Sequence, residues 1–388
     1  MNILINCLGT RKGGSETFIS SLLPNLAKLD PRLEYTVLCW ENRAFIYNAR
    51  CLSNIKIQSI SDKFSKTALS RLYVENIHVP RLHIRSKYDW HFRADELVAP
   101  LIFATGVKVL AVFHATHQML IPDQLGDSFW VVNYARLLKR LVMRFADVPV
   151  AVTYHEKAEL TGLYPFAFKR IQVIYHGIDH SLFHPKTEIE NFINLPAGFP
   201  PSYILSISNR NPHKNFIRLI QGYALALRRF NLEEDLVIIG RPVISSEEER
   251  IKSVILKNDL QNRVHLFDYI ENDRLPIIYQ NASAYMFPSL FETFGFTPLE
   301  ALACGIPTGV ANCGVQREIC GDAVDYFNPF DIEDICCSIM RLIRKDDYVK
   351  QLREIGFRQV KKYSWQSTAE QYYHLLISKP IPLWSLPK

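Results

Sequence analysis

Short apolar runs alternate with longer amphipathic stretches along the whole chain. Residues 1–6 (MNILIN), 108–113 (KVLAVF), 148–152 (VPVAV), 203–207 (YILSI) and 236–239 (LVII) are nearly free of charge, as strands covered on both faces must be. Strands of this kind separated by helical patterns predict an α/β fold with doubly wound parallel sheets. One stretch is sharper than the rest. Residues 284–287 (AYMF) read as a short buried strand and 288–296 as a loop. Thr297-Pro298 then reads as an N-cap followed by proline at the first helical position, and Gly305-Ile306-Pro307 as a helix stop. From Trp365, with Tyr372, Tyr373, Leu375 and Leu376, the pattern predicts one last helix.

Polar positions divide this pattern. The segment from Lys186 to Pro201 is polar and then proline-rich, and reads as a linker. A chain of 388 residues with 48% hydrophobic content is long enough for two cores. The predicted organisation is an N-terminal domain at 1–185, a linker at 186–200, a C-terminal domain at 201–365 and a terminal helix and tail at 366–388. No repeat of solenoid length and no low-complexity segment interrupts it.

The loop and helix start at 288–300 suit a ligand with both phosphate and hydroxyl groups. A helix N-terminus presents unpaired N–H groups, and Gly295 lets the backbone approach a phosphate. The carboxylates of Glu292 and Glu300 accept hydrogen bonds from hydroxyls. Glu300 has a second reading, since Thr297-x-x-Glu300 is also a capping box.

The spacing Glu292-x7-Glu300 within PSLFETFGFTPLEALACGIP resembles the signature of family 4 of the retaining glycosyltransferases, which have the GT-B fold. Four further segments agree in order: Gly13-Gly14-Ser15-Glu16-Thr17; the stretch 173–185, with His176 where the family has Asn; 208–215 (SNRNPHKN); and 268–282 around Asp268-Tyr269-Ile270. The resemblance implies two Rossmann-like domains facing a cleft, with a C-terminal helix crossing back to the N-terminal, acceptor-side domain. The implied reaction moves a hexose-type sugar, with retention and without metal, from a UDP- or GDP-linked donor to a glycan or lipid-linked acceptor in surface polysaccharide or glycoconjugate synthesis. No other cofactor is implied.

Residue by residue, Glu300 takes the place of the ribose ligand and Glu292 that of the carboxylate beside the transferred sugar. The amides of Phe294, Gly295 and Phe296 take the place of phosphate donors, and Lys214 that of the cation on the leaving diphosphate. The usual position of the partner arginine holds Asn209, so that role moves to Arg210, one residue later. Tyr269 and Ile270 fall in the donor-binding segment, as do Gly13 and Gly14, which also read simply as a tight turn. His114, at the end of the run 108–113, resembles the family histidine that faces the donor sugar; His117 is the fallback, and a structural histidine the plain alternative. A GT-B epimerase or phosphorylase, or a silent sugar-nucleotide-binding protein, are the competing readings. The glycine loop is not G-x-G-x-x-G, which argues against a nicotinamide dehydrogenase.

Composition narrows the setting. Eight cysteines at 7, 39, 51, 304, 313, 320, 336 and 337 form no C-x-x-C pair, which fits a reducing compartment. No segment reaches the ~18 apolar residues of a spanning helix, so a cytoplasmic location, at most peripheral to the inner membrane face, is expected. Twelve histidines include His176, His180 and His184, but Gly177 and Pro185 break the helical face that three metal ligands would need, and no metal is expected. Net charge is +6, and residues 1–180 carry 22 basic against 15 acidic side chains. Arg81, Arg85, Lys87 and Arg93, then Arg136, Lys139, Arg140 and Arg144, read either as a solvated face or as a surface for anionic lipid headgroups. No compact basic run marks a nucleic-acid partner.

Overall fold

The computed structural model describes residues 1–10, 13–44, 52–114, 129–187, 195–344 and 346–378. These form two compact units, one built from residues up to 177 together with those from 364 onward, the other from 178–363.

The first unit holds a seven-stranded sheet among the described residues: β1 (Asn2–Asn6), β2 (Glu34–Trp40), β3 (Ile55–Ile60), β4 (Trp90–Arg93), β5 (Lys108–Phe113), β6 (Val148–Ala151) and β7 (Gln172–Val173), in the order β3-β2-β1-β4-β5-β6-β7. All its pairs are parallel. Leu4, Leu38, Val109, Ala111 and Phe113 of the strands pack with Val142, Met143 and Leu160 of the covering helices. The second unit repeats the plan with β8 (Tyr203–Ile207), β9 (Asp235–Ile239), β10 (Val264–Phe267), β11 (Ala284–Phe287), β12 (Thr308–Ala311) and β13 (Asp325–Phe327), ordered β10-β9-β8-β11-β12-β13 and again parallel. Its core joins Ile204, Leu236, Ile238 and Met286 to Leu219, Tyr223, Ile335 and Ile339. In both sheets the chain reverses its direction of winding between the first strand and the fourth, the point beyond whose carboxyl ends open sheets of this kind bind ligands.

Local chemistry sets the helix ends. Thr153, Asp331 and Ser364 each accept a backbone N–H two or three residues on, as N-caps do. Helix Phe216–Phe230 lies between two left-handed asparagines, Asn215 (φ 59°) and Asn231 (φ 50°).

The last helix, Trp365–Ile377, packs in the first unit. Trp90 Nε1 donates to Leu376 O (3.0 Å), Thr368 Oγ1 to Tyr175 O (2.9 Å) and Tyr373 Oη to Asp30 Oδ2 (3.2 Å). The units part after Gly177, eight residues before the boundary read from the sequence. Residues 178–185 go with the second unit because Ile178 N donates to Tyr363 O, Phe183 packs edge-on against Tyr279 and His184 O accepts from Gln280 Nε2. The expected linker falls partly, and the tail beyond 378 wholly, outside the described residues, as do His117 and Cys51. No disulfide joins the seven described cysteines to one another. No helix among the described residues is long and apolar enough to cross a membrane.

Two of the basic residues grouped as a surface turn inward, which corrects that grouping. Arg93 is 3% exposed and bonds Glu75 (2.8 and 2.9 Å) and Asp95 (2.8 Å); Lys139 is 2% exposed and pairs with Glu96 at 2.9 Å. A buried charge needs such a partner. Arg81, Arg85, Lys87, Arg136, Arg140 and Arg144 are exposed.

Candidate functional site

In the second unit the switch point lies between β8 and β11. The chain leaving β8 makes a short turn, Pro212–Lys214, and that leaving β11 makes the loop to Gly295. Leu290 N donates to His213 O at 2.8 Å, stitching the two together. Asn215, left-handed after the turn, donates through Nδ2 to Pro288 O (3.3 Å) and Pro329 O (2.8 Å). The result brings Lys214 and Glu292 together, 78 positions apart in sequence, with Nζ 2.5 Å from Oε1. Both are largely buried, and Lys214 Nζ also lies 5.9 Å from the centre of the Phe287 ring. Burial pushes the Glu292 carboxyl upward, but the charge and hydrogen bond of Lys214, a bond from Ser289 and the charge of His213 outweigh it and hold it below the ordinary value.

Glu300 is different. It is buried on helix Phe296–Ala303 and accepts from Tyr279 Oη at 2.9 Å. Burial raises its pKa to about 7 against the opposing bond from Tyr279. The capping-box reading is corrected: the N-cap is Gly295, not Thr297, and no side chain caps the helix. Glu300 bonds the Tyr279 hydroxyl instead, which also reaches Thr297 O at 3.4 Å. Gly295 has φ +95°, a conformation that calls for glycine, and a Cβ there would stand 2.6 Å from Gln316 Nε2, so the glutamine side chain would have to shift as well. Phe294 packs edge-on against Tyr363 and within 5.1 Å of Phe296, fixing the loop whose amides precede the helix.

Arg210 does not have the freedom its expected role needs. At 3% exposure it bonds Glu248 through Nε (2.6 Å) and Nη2 (3.4 Å), Asp268 Oδ1 (3.2 Å), Phe267 O (3.0 Å) and Gly240 O. All three guanidinium nitrogens are engaged, and the residue ties β8 to the ends of β9 and β10. Asn209 beside it is exposed. Tyr269 is 39% exposed, with the Arg241 guanidinium 4.8 Å over its ring, and Ile270 is half-buried.

In the first unit, Gly13 (φ 116°) is the N-cap of helix Gly14–Leu29, and the N–H groups of Glu16 and Thr17 return to its carbonyl. His114 follows β5 and meets Phe18 edge-on (5.0 Å) and His176 face-on (5.2 Å). Burial lowers its pKa, against the charges of Glu96 and Asp95 and a hydrogen bond with the Ala94 backbone. His176 is 1% exposed, stacks near Trp365 (5.9 Å) and is held well below its ordinary pKa by burial and by His114. Both rings are neutral at pH 7. His180 instead meets Tyr363 O and His184 meets Pro185 O, so the three histidines at four-residue intervals have separate surroundings.

The residues that sequence reasoning left without a role are Tyr279, Asn215, Arg241 and Gln316. Tyr279 lies in a recognised segment, but nothing in its spacing says that its hydroxyl reaches Glu300. Asn215 carried a signal, as asparagine is the residue after glycine most at ease in a left-handed turn.

Comparison with known proteins covers nearly the whole chain. A family model described as Glycosyltransferase Family 4 matches residues 12–182, and one described as Glycosyl transferases group 1 matches residues 189–359. The serotype-specific mannosyltransferase WbdA of Escherichia coli is 30% identical over 349 residues, 88% of this chain and 42% of that protein. The O-antigen chain mannosyltransferase RfbU of Salmonella typhimurium is 27% identical over 210 residues, 54% of this chain and 55% of that protein. The matches thus span about half the length of these curated relatives or less. Among solved structures, Anabaena HepE in complex with UDP-glucose superposes with a TM-score of 0.78 at 16% identity, covering 97% of this chain and 99% of that one. Sucrose-phosphate synthase from Thermosynechococcus elongatus gives 0.74 at 17% identity, covering 96% and 98%. At these identities the likeness is one of fold, GT-B.

Proposed function

We propose, for a chain that belongs to family 4 of the glycosyltransferases, that it moves a hexose from a nucleoside diphosphate sugar to an acceptor hydroxyl with retention of configuration and without a divalent metal. The observation that carries this reading is the Lys214–Glu292 pair at the switch point of the second sheet, joined by the Glu300–Tyr279 pair, whose members flank Glu292 in sequence.

Glu300 takes the ribose hydroxyls. The amides of Phe294 to Phe296, at a helix start, meet the diphosphate. Lys214 faces negative charge as it grows on the departing diphosphate, and Glu292, no longer its sole partner, accepts hydroxyls of the transferred sugar. The bond from the anomeric carbon to the diphosphate oxygen breaks while the acceptor oxygen bonds to that carbon on the same face. The acceptor proton passes to the departing phosphate. His114, neutral and oriented by the Ala94 backbone, serves as a hydrogen-bonding partner to a sugar hydroxyl, and Gly13-Gly14 as the loop beside it. Arg210 has no part in this scheme beyond holding the loop after β8.

The names of WbdA and RfbU favour mannose as the first sugar to test and polysaccharide as the product class. HepE was solved with UDP-glucose, so the base is left to experiment between UDP and GDP. A melting-temperature panel of UDP, GDP and their sugars selects the donor, because a ligand that binds the folded state raises its melting temperature. We expect one nucleotide series to raise it, and transfer from that donor to survive EDTA. No response to any nucleotide sugar would overturn the assignment.

A further inference from the structure

We infer that the helical run from Thr67 to Ser86 in the first unit, with the turn before it, is a docking surface for an anionic lipid bilayer. The inference stands on this surface alone and does not depend on the sugar chemistry.

Two of the most exposed large apolar side chains among the described residues lie on this one run: Leu69 at 80% and Ile84 at 68%. Leu69, Leu72 and Tyr73 have the i, i+3, i+4 spacing of a single helix face, and Phe64, from the preceding turn, stacks on Tyr73 at 6.4 Å. Toward the other end Arg81, Ile84 and Arg85 repeat that spacing, before Lys87 in a left-handed conformation ends the helix. The run is anchored from behind: Val74 and Val79 enter the core of the first unit, and Pro80 and His83 are buried. Its outward apolar side chains are therefore not needed to hold the helix in place.

Charge selects the occupant. Residues 62–87 carry six basic side chains, Lys63, Lys66, Arg71, Arg81, Arg85 and Lys87, all exposed, against two acidic ones. Both acids are engaged elsewhere, Glu75 by Arg93 and Asp62 by the backbone N–H of Asn42. Apolar side chains ringed by cations that no carboxylate among the described residues opposes, on a run whose other side is fixed in the core, match the boundary between acyl chains and negatively charged headgroups. A neutral protein partner would leave these cations without counterparts, and a second copy of the same surface would set like charges against each other.

Vesicle sedimentation with the full chain tests this, using phosphatidylcholine alone and phosphatidylcholine mixed with phosphatidylglycerol. Expected is binding to the mixed vesicles only, falling as salt is raised. Leu69→Asp with Ile84→Asp should lower the partition coefficient about tenfold or more, and Arg81→Glu with Arg85→Glu should do likewise. Leu69→Ser with Ile84→Ser gives a milder apolar test, and an unchanged melting temperature certifies the fold of each variant. Equal binding to both vesicle types, no binding to either, or folded variants that bind like the native chain would each overturn the inference. So would a concentration-dependent dimer that Leu69→Asp dissolves, because it would make a second copy the occupant.

Discussion

Lys214 and Glu292 neutralise each other at 2.5 Å, and in the proposed role the lysine turns to charge and the glutamate to hydroxyls of the donor. Lys214→Ala should lower kcat/KM by about 10²- to 10³-fold, mostly in kcat, as expected for a group that acts on charge developing in the transition state. Steady-state kinetics decide it, and retention within about tenfold would remove the lysine from that role. Glu300 gives the pH dependence. Its carboxyl ionises near 7 in the fold, against an ordinary value of 4.5, so the folded state binds the extra proton between those values and loses stability as pH rises through them. Glu300→Gln should therefore leave stability almost unchanged at pH 4 and raise it by roughly 2–3 kcal/mol at pH 8, read from denaturant melts. The same variant should bind donor about tenfold more weakly. In the role proposed for Glu300, the ribose hydroxyls call for the ionised carboxylate, so donor affinity should climb from pH 6 to 8 and then level off.

At the scale of elements, most of this was open to sequence reasoning where the pattern was local. Runs such as YILSI and LVII became β8 and β9 because a strand buried on both faces leaves no room for alternation. The pairing of Lys214 with Glu292 was legible only as two motifs, since nothing local says that the turns after β8 and β11 meet. Arg210 and Thr297 misled for a shared reason. A sequence shows that a side chain can bond but not what has already claimed it: Glu248 and Asp268 hold Arg210, and Gly295 takes the cap position ahead of Thr297. The loop before helix Phe296–Ala303 makes its own prediction. Gly295→Ala meets both the positive φ and Gln316, and should cost roughly 1–3 kcal/mol while weakening donor binding, measured by thermal melting and calorimetry.

Across the whole molecule, the sequence anticipated two doubly wound sheets but placed their division at 185 rather than after Gly177, because side-chain contacts, not a change in composition, decide which unit 178–185 joins. Gly177 itself closes the first unit. A Cβ there would stand 2.1 Å from Trp365 N and 2.4 Å from Ser364 C, backbone atoms at the start of the last helix. Gly177→Ala should destabilise the first unit by roughly 3 kcal/mol, the upper end for overpacking. Trp40, Trp90 and Trp365 all belong to that unit, so tryptophan fluorescence during denaturation reads it directly.

The return of helix Trp365–Ile377 to the first unit also sets a timetable for synthesis. The described residues of the second unit all fall within 178–363, whereas the first is completed only when the residues from 364 onward have been made, about 190 residues after Gly177. At about 5–20 residues per second that is a wait on the order of ten to forty seconds. Through it Phe18 and Phe92 lack Tyr372, the ring that covers them in the finished protein. Of the two units, the one whose chain emerges first is thus the one completed second.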